Sequence, residues 1–272
     1  MNKVVVSASF DDFRSGHARL LEEAAKLGEV HALIWTDERV KALTRKPPKF
    51  PAYERLYLVQ GIRYVHAVHI ASRPPDPRAI PDWGDLNPQI WAVPEDEATE
   101  EKMSFCDRMG IVLHVIPADS LRVFPTTPPP RARASKHEKV IVTGCFDWLH
   151  SGHIRFFEEA AGRGDLYVDV GSDENIRLLK GKNHPLFPQA ERLYMVRSVR
   201  HVTQAFIGSG YGWMDAAPEM NRIKPTIYLV NEDGDRPEKR AYCEEKNIQY
   251  VVLKRLPKEG LPPRESSGLR GF

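Results

Sequence analysis

Apolar residues along this chain fall into two alternating rhythms. "KVIVTGCF" (139–146) is a continuous β-rich run, as a parallel strand buried on both faces requires. "SGHIRFFEEAAGRG" (151–164) follows with apolar positions at helical spacing, and Gly164 is placed to stop it. The pattern predicts a second strand over 166–173, a helix over 190–200, and strands over 202–208, 226–231 and 248–254. Strands alternating with helices predict an α/β fold, a parallel sheet with helices on both faces.

The whole rhythm occurs twice. "FDDFRSGHARLLEEAAKLG" (10–28) matches "FDWLHSGHIRFFEEAAGRG" (146–164) at eleven of nineteen positions. After one gap the match resumes, "ERLYLVQGIRYV" (54–65) against "ERLYMVRSVRHV" (191–202), and "PQIWAVPEDE" (88–97) answers "PTIYLVNEDG" (225–234). A tandem duplication predicts two similar domains. Between the copies, "PTTPPPRARASKHEK" (125–139) carries four prolines and no apolar periodicity, the mark of a semi-rigid extended linker. The expected organisation is therefore a domain over 1–124, a linker over 125–138 and a domain over 139–272.

With 272 residues, 42% of them hydrophobic, the chain is long enough for two cores. A formal net charge of +2 is too small to point to nucleic acid or a membrane surface, so anion chemistry must come from locally placed groups. The apolar run at the N-terminus is too short for a signal peptide, and no stretch is long enough to span a bilayer. Three cysteines argue against a disulfide framework, so a cytoplasmic setting is expected. Cys106 and Cys243 occupy equivalent positions and read as small buried thiols on helices facing the sheets. Cys145 has no local base to make it a nucleophile.

Chemistry concentrates where the strand of the second copy gives way to its helix. Thr143 and Gly144 end the strand, a turn carries Phe146 to Ser151, and the helix starts near Gly152. A helix N-terminus presents free N–H groups and a partial positive charge, which favour phosphate. His150 and His153 can aim two imidazoles at one anion across that turn, and Gly152 lets a phosphate approach the backbone. Such a group of donors suits a triphosphate whose α-phosphorus takes up negative charge. Two histidines three apart also suit a metal, but no third ligand of suitable spacing is evident.

"TGCFDWLHSGH" (143–153) resembles the G-x-F-D-x-x-H-x-G-H signature of the cytidylyltransferase-like nucleotidyltransferases, and "SDENIRLLKGKNHPLFPQAER" (172–192) is similar to that family's S-D-E…K-G…E-R segment. The resemblance implies two tandem Rossmann-like nucleotidyltransferase domains. It implies the reaction of a nucleoside triphosphate, with its Mg²⁺, and a phosphorylated small alcohol or sugar, releasing pyrophosphate. On this reading His150, His153 and Lys180 are catalytic, with Lys182 as a less favoured substitute for Lys180. Thr143, Gly144, Phe146, Gly152 and Arg192 bind nucleotide, as do Arg264, Ser266 and Ser267 in a tail similar to the family's closing arginine-and-hydroxyl motif, with Arg270 a further candidate. Asp147 and Trp148 meet the second substrate; Asp147 is alternatively a turn residue, and Trp148, Tyr211 and Trp213 are alternatively packing aromatics. CTP is the expected nucleotide and ATP the alternative, while a nucleotide-binding regulator without turnover is the reading from another class.

The first copy differs where the chemistry sits. It has Ala8, Arg14 and Thr44 at the places of Gly144, His150 and Lys180, although His17 and Glu54-Arg55 persist. Ala8 is expected to block backbone approach to phosphate, and Arg14 differs from histidine in length and geometry. The first domain therefore reads as a degenerate copy, with residual anion binding through Arg14 and His17 as the alternative. Members of the family pair as dimers partly through the segment around an R-Y-V phrase, and that segment is present here as "IRYVHAV" (62–68) and, with histidine for tyrosine, as "VRHVTQA" (199–205). An intrachain pseudo-dimer, or a homodimer, is expected.

Overall fold

The computed structural model describes residues 1–71, 81, 84–125 and 137–269; most of the expected linker (126–136) and Arg270 lie outside them. The chain divides into two compact units, Met1–Phe124 and Pro125–Phe272.

In the first unit, β1 (Lys3–Ala8), α1 (Ser15–Ala25), β2 (Glu29–Ile34), α2 (Asp37–Thr44), α3 (Ala52–Gln60) and β3 (Ala67–Ile70) precede β4 (Ile90–Pro94), α4 (Glu100–Met109) and β5 (Val112–Ile116). In the second, β6 (Lys139–Gly144), α5 (Ser151–Ala161), β7 (Asp165–Val170), α6 (Asp173–Lys180), α7 (Gln189–Arg197) and β8 (Gln204–Ile207) precede α8 (Ala217–Ile223), β9 (Ile227–Asn231), α9 (Pro237–Glu245), β10 (Gln249–Leu253) and α10 (Ser266–Leu269). The sheets have matching orders, β3-β2-β1-β4-β5 and β8-β7-β6-β9-β10. Every pairing is parallel. Each unit is thus a Rossmann-like α/β sheet whose strand order reverses beside its first strand, where ligands of such sheets bind beyond the carboxyl ends.

The elements follow from the patterning. Val140, Ile141 and Val142 are buried at the sheet centre, and Ile154, Phe157 and Ala160 make the buried stripe of α5. Two expected boundaries move. β7 ends at Val170 rather than 173, because the Ser172 hydroxyl accepts the Asn175 N–H and caps α6, a helix the periodicity did not announce. α5 ends at Ala161, and Gly164 serves close approach instead: a Cβ there would overlap the Glu138 carbonyl oxygen, as one at Gly28 would overlap that of Asn2. Cys106 and Cys243 are buried against their sheets, and burial pushes the Cys243 thiol up to about 11.

Candidate functional site

The turn between β6 and α5 sets the site. Phe146 takes a left-handed conformation (φ 50°), as does its counterpart Phe10 (φ 48°), so the bend belongs to the fold of both units. In the second unit it brings His150 to the N-cap of α5, where Nδ1 accepts the Gly152 N–H at 3.1 Å. A neutral imidazole accepting at Nδ1 carries its proton on Nε2. That nitrogen is buried, in a residue 1% exposed, and has no partner among the described residues. His153 stacks on His150 with ring centroids 4.0 Å apart. It is hydrogen-bonded to the Trp148 backbone, and its Nδ1 is unpartnered. Burial holds His150 well below the usual histidine range, helped by His153, Arg255 and Arg264. Burial, with Arg255 and Lys180, lowers His153 to about 3. Both rings are therefore neutral near pH 7, and His150 aims an N–H that lacks an acceptor.

Two glycines make this geometry possible. A Cβ on Gly152 would stand 3.0 Å from the His150 ring, so glycine admits the capping imidazole. A Cβ on Gly144 would press on the Phe146 ring at 2.8 Å. Phe146 in turn stands edge-on to His153 with centroids 5.4 Å apart. Gly144 thus gives room to the ring that supports His153 as well as to backbone approach.

These residues open onto a cavity of about 540 Å³ at the reversal between β6 and β9. Of the expected site residues, Thr143, Gly144, Phe146, Asp147, His150, Gly152, His153, Lys180 and Ser266 line it. The sequence reading missed Arg255, which also lines it, just beyond β10, and pairs with Asp233 at 3.0 Å and Glu265 at 3.3 Å. It missed His184, Lys239 and Arg236 as well. Trp213 lines the wall, but the Arg236 guanidinium already covers its ring at 4.4 Å. Tyr211 is exposed and donates to Glu174.

Four of the expected residues have surroundings of their own. Arg192 is 1% exposed and donates to the carbonyls of Phe187, Cys145 and Gly171 and to Asp173, so its guanidinium ties backbone together and does not reach the cavity. Arg55 does the same in the first unit with Phe50, Ser9 and Asp37. Asp147 spends both oxygens on the N–H groups of Leu186 and Phe187, as Asp11 does on Lys49 and Phe50. A device kept in both units is a fold device. Trp148 is buried, packs edge-on to Phe187 and lies outside the cavity wall. Arg264 lines a neighbouring depression of about 210 Å³ and gives its carbonyl to Arg255. Of Ser267, the helical position alone is described.

Beneath the cavity lies a set of buried acids. Asp169 is 0% exposed in mid-strand, and burial, reinforced by Asp215 and Glu219, pushes its carboxyl well above the usual range. Asp215 lines the cavity, accepts from Asn175 at 2.8 Å and is also raised by burial. Burial lowers Lys239, which reaches Thr143 at 3.4 Å. The signal was in the sequence: one aspartate interrupts an apolar parallel strand in "LYVDV". A carboxyl whose folded pKa exceeds its unfolded one loses stability as pH rises from about 4 toward the folded value. Asp169→Asn should therefore stabilise the protein more at pH 8 than at pH 4, read by thermal denaturation; an equal shift at both would refute the protonated state.

In the first unit the corresponding groups are engaged differently. The Arg14 guanidinium pairs with Asp12 at 3.0 Å. His17 Nδ1 accepts the Arg14 N–H at 3.1 Å. Burial lowers His17 to about 4. Thr44 bonds to the Val40 and Lys46 carbonyls.

Comparison with known proteins gives four findings. The family described as cytidylyltransferase-like matches residues 5–101 and 141–257. A FAD synthase of Methanospirillum hungatei is 36% identical over 132 residues, 47% of this chain and 80% of that protein. The bifunctional protein HldE of Hydrogenovibrio crunogenus is 51% identical over 67 residues, 24% of this chain and 14% of that one. Among solved structures, the lipopolysaccharide core biosynthesis protein of Thermoplasma volcanium shares 26% identity over 44% of this chain and 98% of its own, at a TM-score of 0.39. Among the described residues, no helix is long and apolar enough to cross a membrane.

Proposed function

Because the chain belongs to the cytidylyltransferase-like family through both of its units, we propose that the second unit carries its nucleotidyl transfer while the first is a non-catalytic copy. The observation that carries this is the pair of neutral, partly unpartnered imidazoles at the start of α5, opening onto the cavity that Lys180 and Arg255 share. The acceptor's phosphate oxygen bonds to the α-phosphorus as the bridging bond to the β-phosphate breaks, and the electron pair leaves with pyrophosphate. No covalent intermediate is needed, so the protein's work is positioning and charge stabilisation. His150 donates its Nε2–H to the phosphates, and Lys180 and Arg255 neutralise the leaving pyrophosphate.

Mg²⁺ enters as part of the nucleotide. Asp233 and Glu265 on the wall pair with Arg255, and Asp215 accepts from Asn175, so these carboxylates are engaged by the protein and the ion would be held mainly by the nucleotide's own phosphate oxygens. The acceptor end, with Lys239 and with Arg236 stacked on Trp213, fits a phosphorylated and anionic molecule better than an ammonium, since a cation already covers the aromatic face.

The nucleotide is ATP on this reading. Sequence alone favoured CTP, but several relatives at 30–36% identity are FAD synthases, whose product joins AMP to a flavin phosphate. The test is pyrophosphate release from ATP, CTP, GTP and UTP with flavin mononucleotide and a panel of sugar and alcohol phosphates. Turnover is expected with ATP. Turnover confined to CTP would restore the cytidylyl reading, and nucleotide binding without turnover would make the protein a regulator.

A further inference from the structure

We propose that Glu29, His31 and His66 of the first unit form a binding site for a divalent transition metal of the zinc class, with His69 orienting His31.

The strand geometry assembles the site. Glu29 and His31 are two apart on β2 and share one face of the sheet. The parallel register sets His31 opposite Ala67 and Leu33 opposite His69, so His69 lies on that same face. The small Ala67 leaves room between the imidazoles. His66, just ahead of β3, is fixed by its N–H on the Val30 carbonyl at 2.8 Å. One ligand atom from each of Glu29, His31 and His66 lies within 4.8 Å of the other two. Metal–ligand bonds of about 2.0–2.1 Å in a tetrahedron set donors roughly 3.3 Å apart, a closure that the exposed His66 can supply by rotation.

A second observation points independently to a ligand. His31 is buried, yet its Nε2 has no hydrogen-bond partner among the described residues. Its Nδ1 lies 3.2 Å from His69 Nε2, and the two rings stack at 11°. When Nδ1–H donates to His69, the lone pair of Nε2 is left for a metal; such an orienting bond on the far nitrogen accompanies most metal-bound histidines. Lys3 opposes a cation here and Glu29 favours one. Imidazole and carboxylate without thiolate select zinc, cobalt, nickel or copper over magnesium or calcium.

The duplication supplies a comparison inside the chain. The places of Glu29, His31, His66 and His69 are taken in the second unit by Asp165, Tyr167, Thr203 and Phe206. Tyr167 and Phe206 there belong to a buried apolar cluster with Ala216 and Met220. One unit packs aromatics at this locus, and the other carries three imidazoles and a carboxylate.

The full-length protein, stripped with chelator and titrated with Zn²⁺ or Co²⁺ alone, tests the site. Wild type should bind one more ion per chain than His66→Ala, by elemental analysis. Co²⁺ should give visible d–d bands that His66→Ala and Glu29→Gln lose. His69→Ala should weaken binding about 10–100-fold. His66 is exposed, so its replacement leaves the fold and pyrophosphate release intact and serves as the control against unfolding. Equal stoichiometry in wild type and His66→Ala would overturn the proposal. So would metal binding abolished by His153→Ala but untouched by the first-unit variants.

Discussion

Replacing His150 with alanine should lower nucleotidyl transfer by about 10²–10³, the usual loss when one preorganised donor to a developing charge is removed. Alanine removes two things: the donor on Nε2 and the cap that Nδ1 gives to Gly152. Loss of an N-cap alone costs about 0.5–2 kcal/mol of stability. His150→Asn separates the two, because asparagine caps well and has no group where Nε2 stood. The asparagine variant should regain the melting temperature and remain as inactive as alanine. If asparagine recovers turnover together with stability, His150 is a cap and not a phosphate donor. His153→Ala should show a loss of similar size. Arg14→Ala in the first unit should change turnover less than twofold, since that guanidinium pairs with Asp12.

The fold and the turn were readable because both rest on local signals. Continuous apolar runs, helical spacing and the repeated "SGH" locate β6, α5 and His150 without any knowledge of tertiary structure. Arg255 and Lys239 were not readable, because each reaches the cavity only through the parallel crossover that puts the ends of β6, β9 and β10 side by side. Arg192 and Asp147 present the converse case. Their positions in a resembling motif suggest ligand contact, yet Arg55 and Asp11 make the same backbone bonds in the other unit. What a motif retains is a mixture of chemistry and architecture, and the internal repeat separates them. His150 and Lys180, which changed between the copies, face the cavity, while Asp147 and Arg192, which stayed, make the same turn-holding bonds in both units.

That separation makes Arg192 the position with the largest expected effect on stability. Its guanidinium donates to the carbonyls after β6 and β7 and before α7, and it pairs with Asp173 at 2.8 Å, all with 1% exposure. Arg192→Met would strand three carbonyls and one carboxylate, and breaking a buried charged network in this way costs about 3–5 kcal/mol. Arg192→Lys should recover little of it, because a point charge cannot replace a planar fork that reaches several acceptors at once. Arg55→Met should produce a loss of the same order through the equivalent bonds to Phe50, Ser9 and Asp37. Denaturant melts measure the stability of all three variants, and initial rates on the folded fraction measure KM for the nucleotide. A nucleotide ligand would show the opposite signature, with stability retained and KM raised. Equal falls in stability at Arg192 and Arg55, with KM unchanged at Arg192, would place both arginines in the architecture that holds the catalytic turn in position.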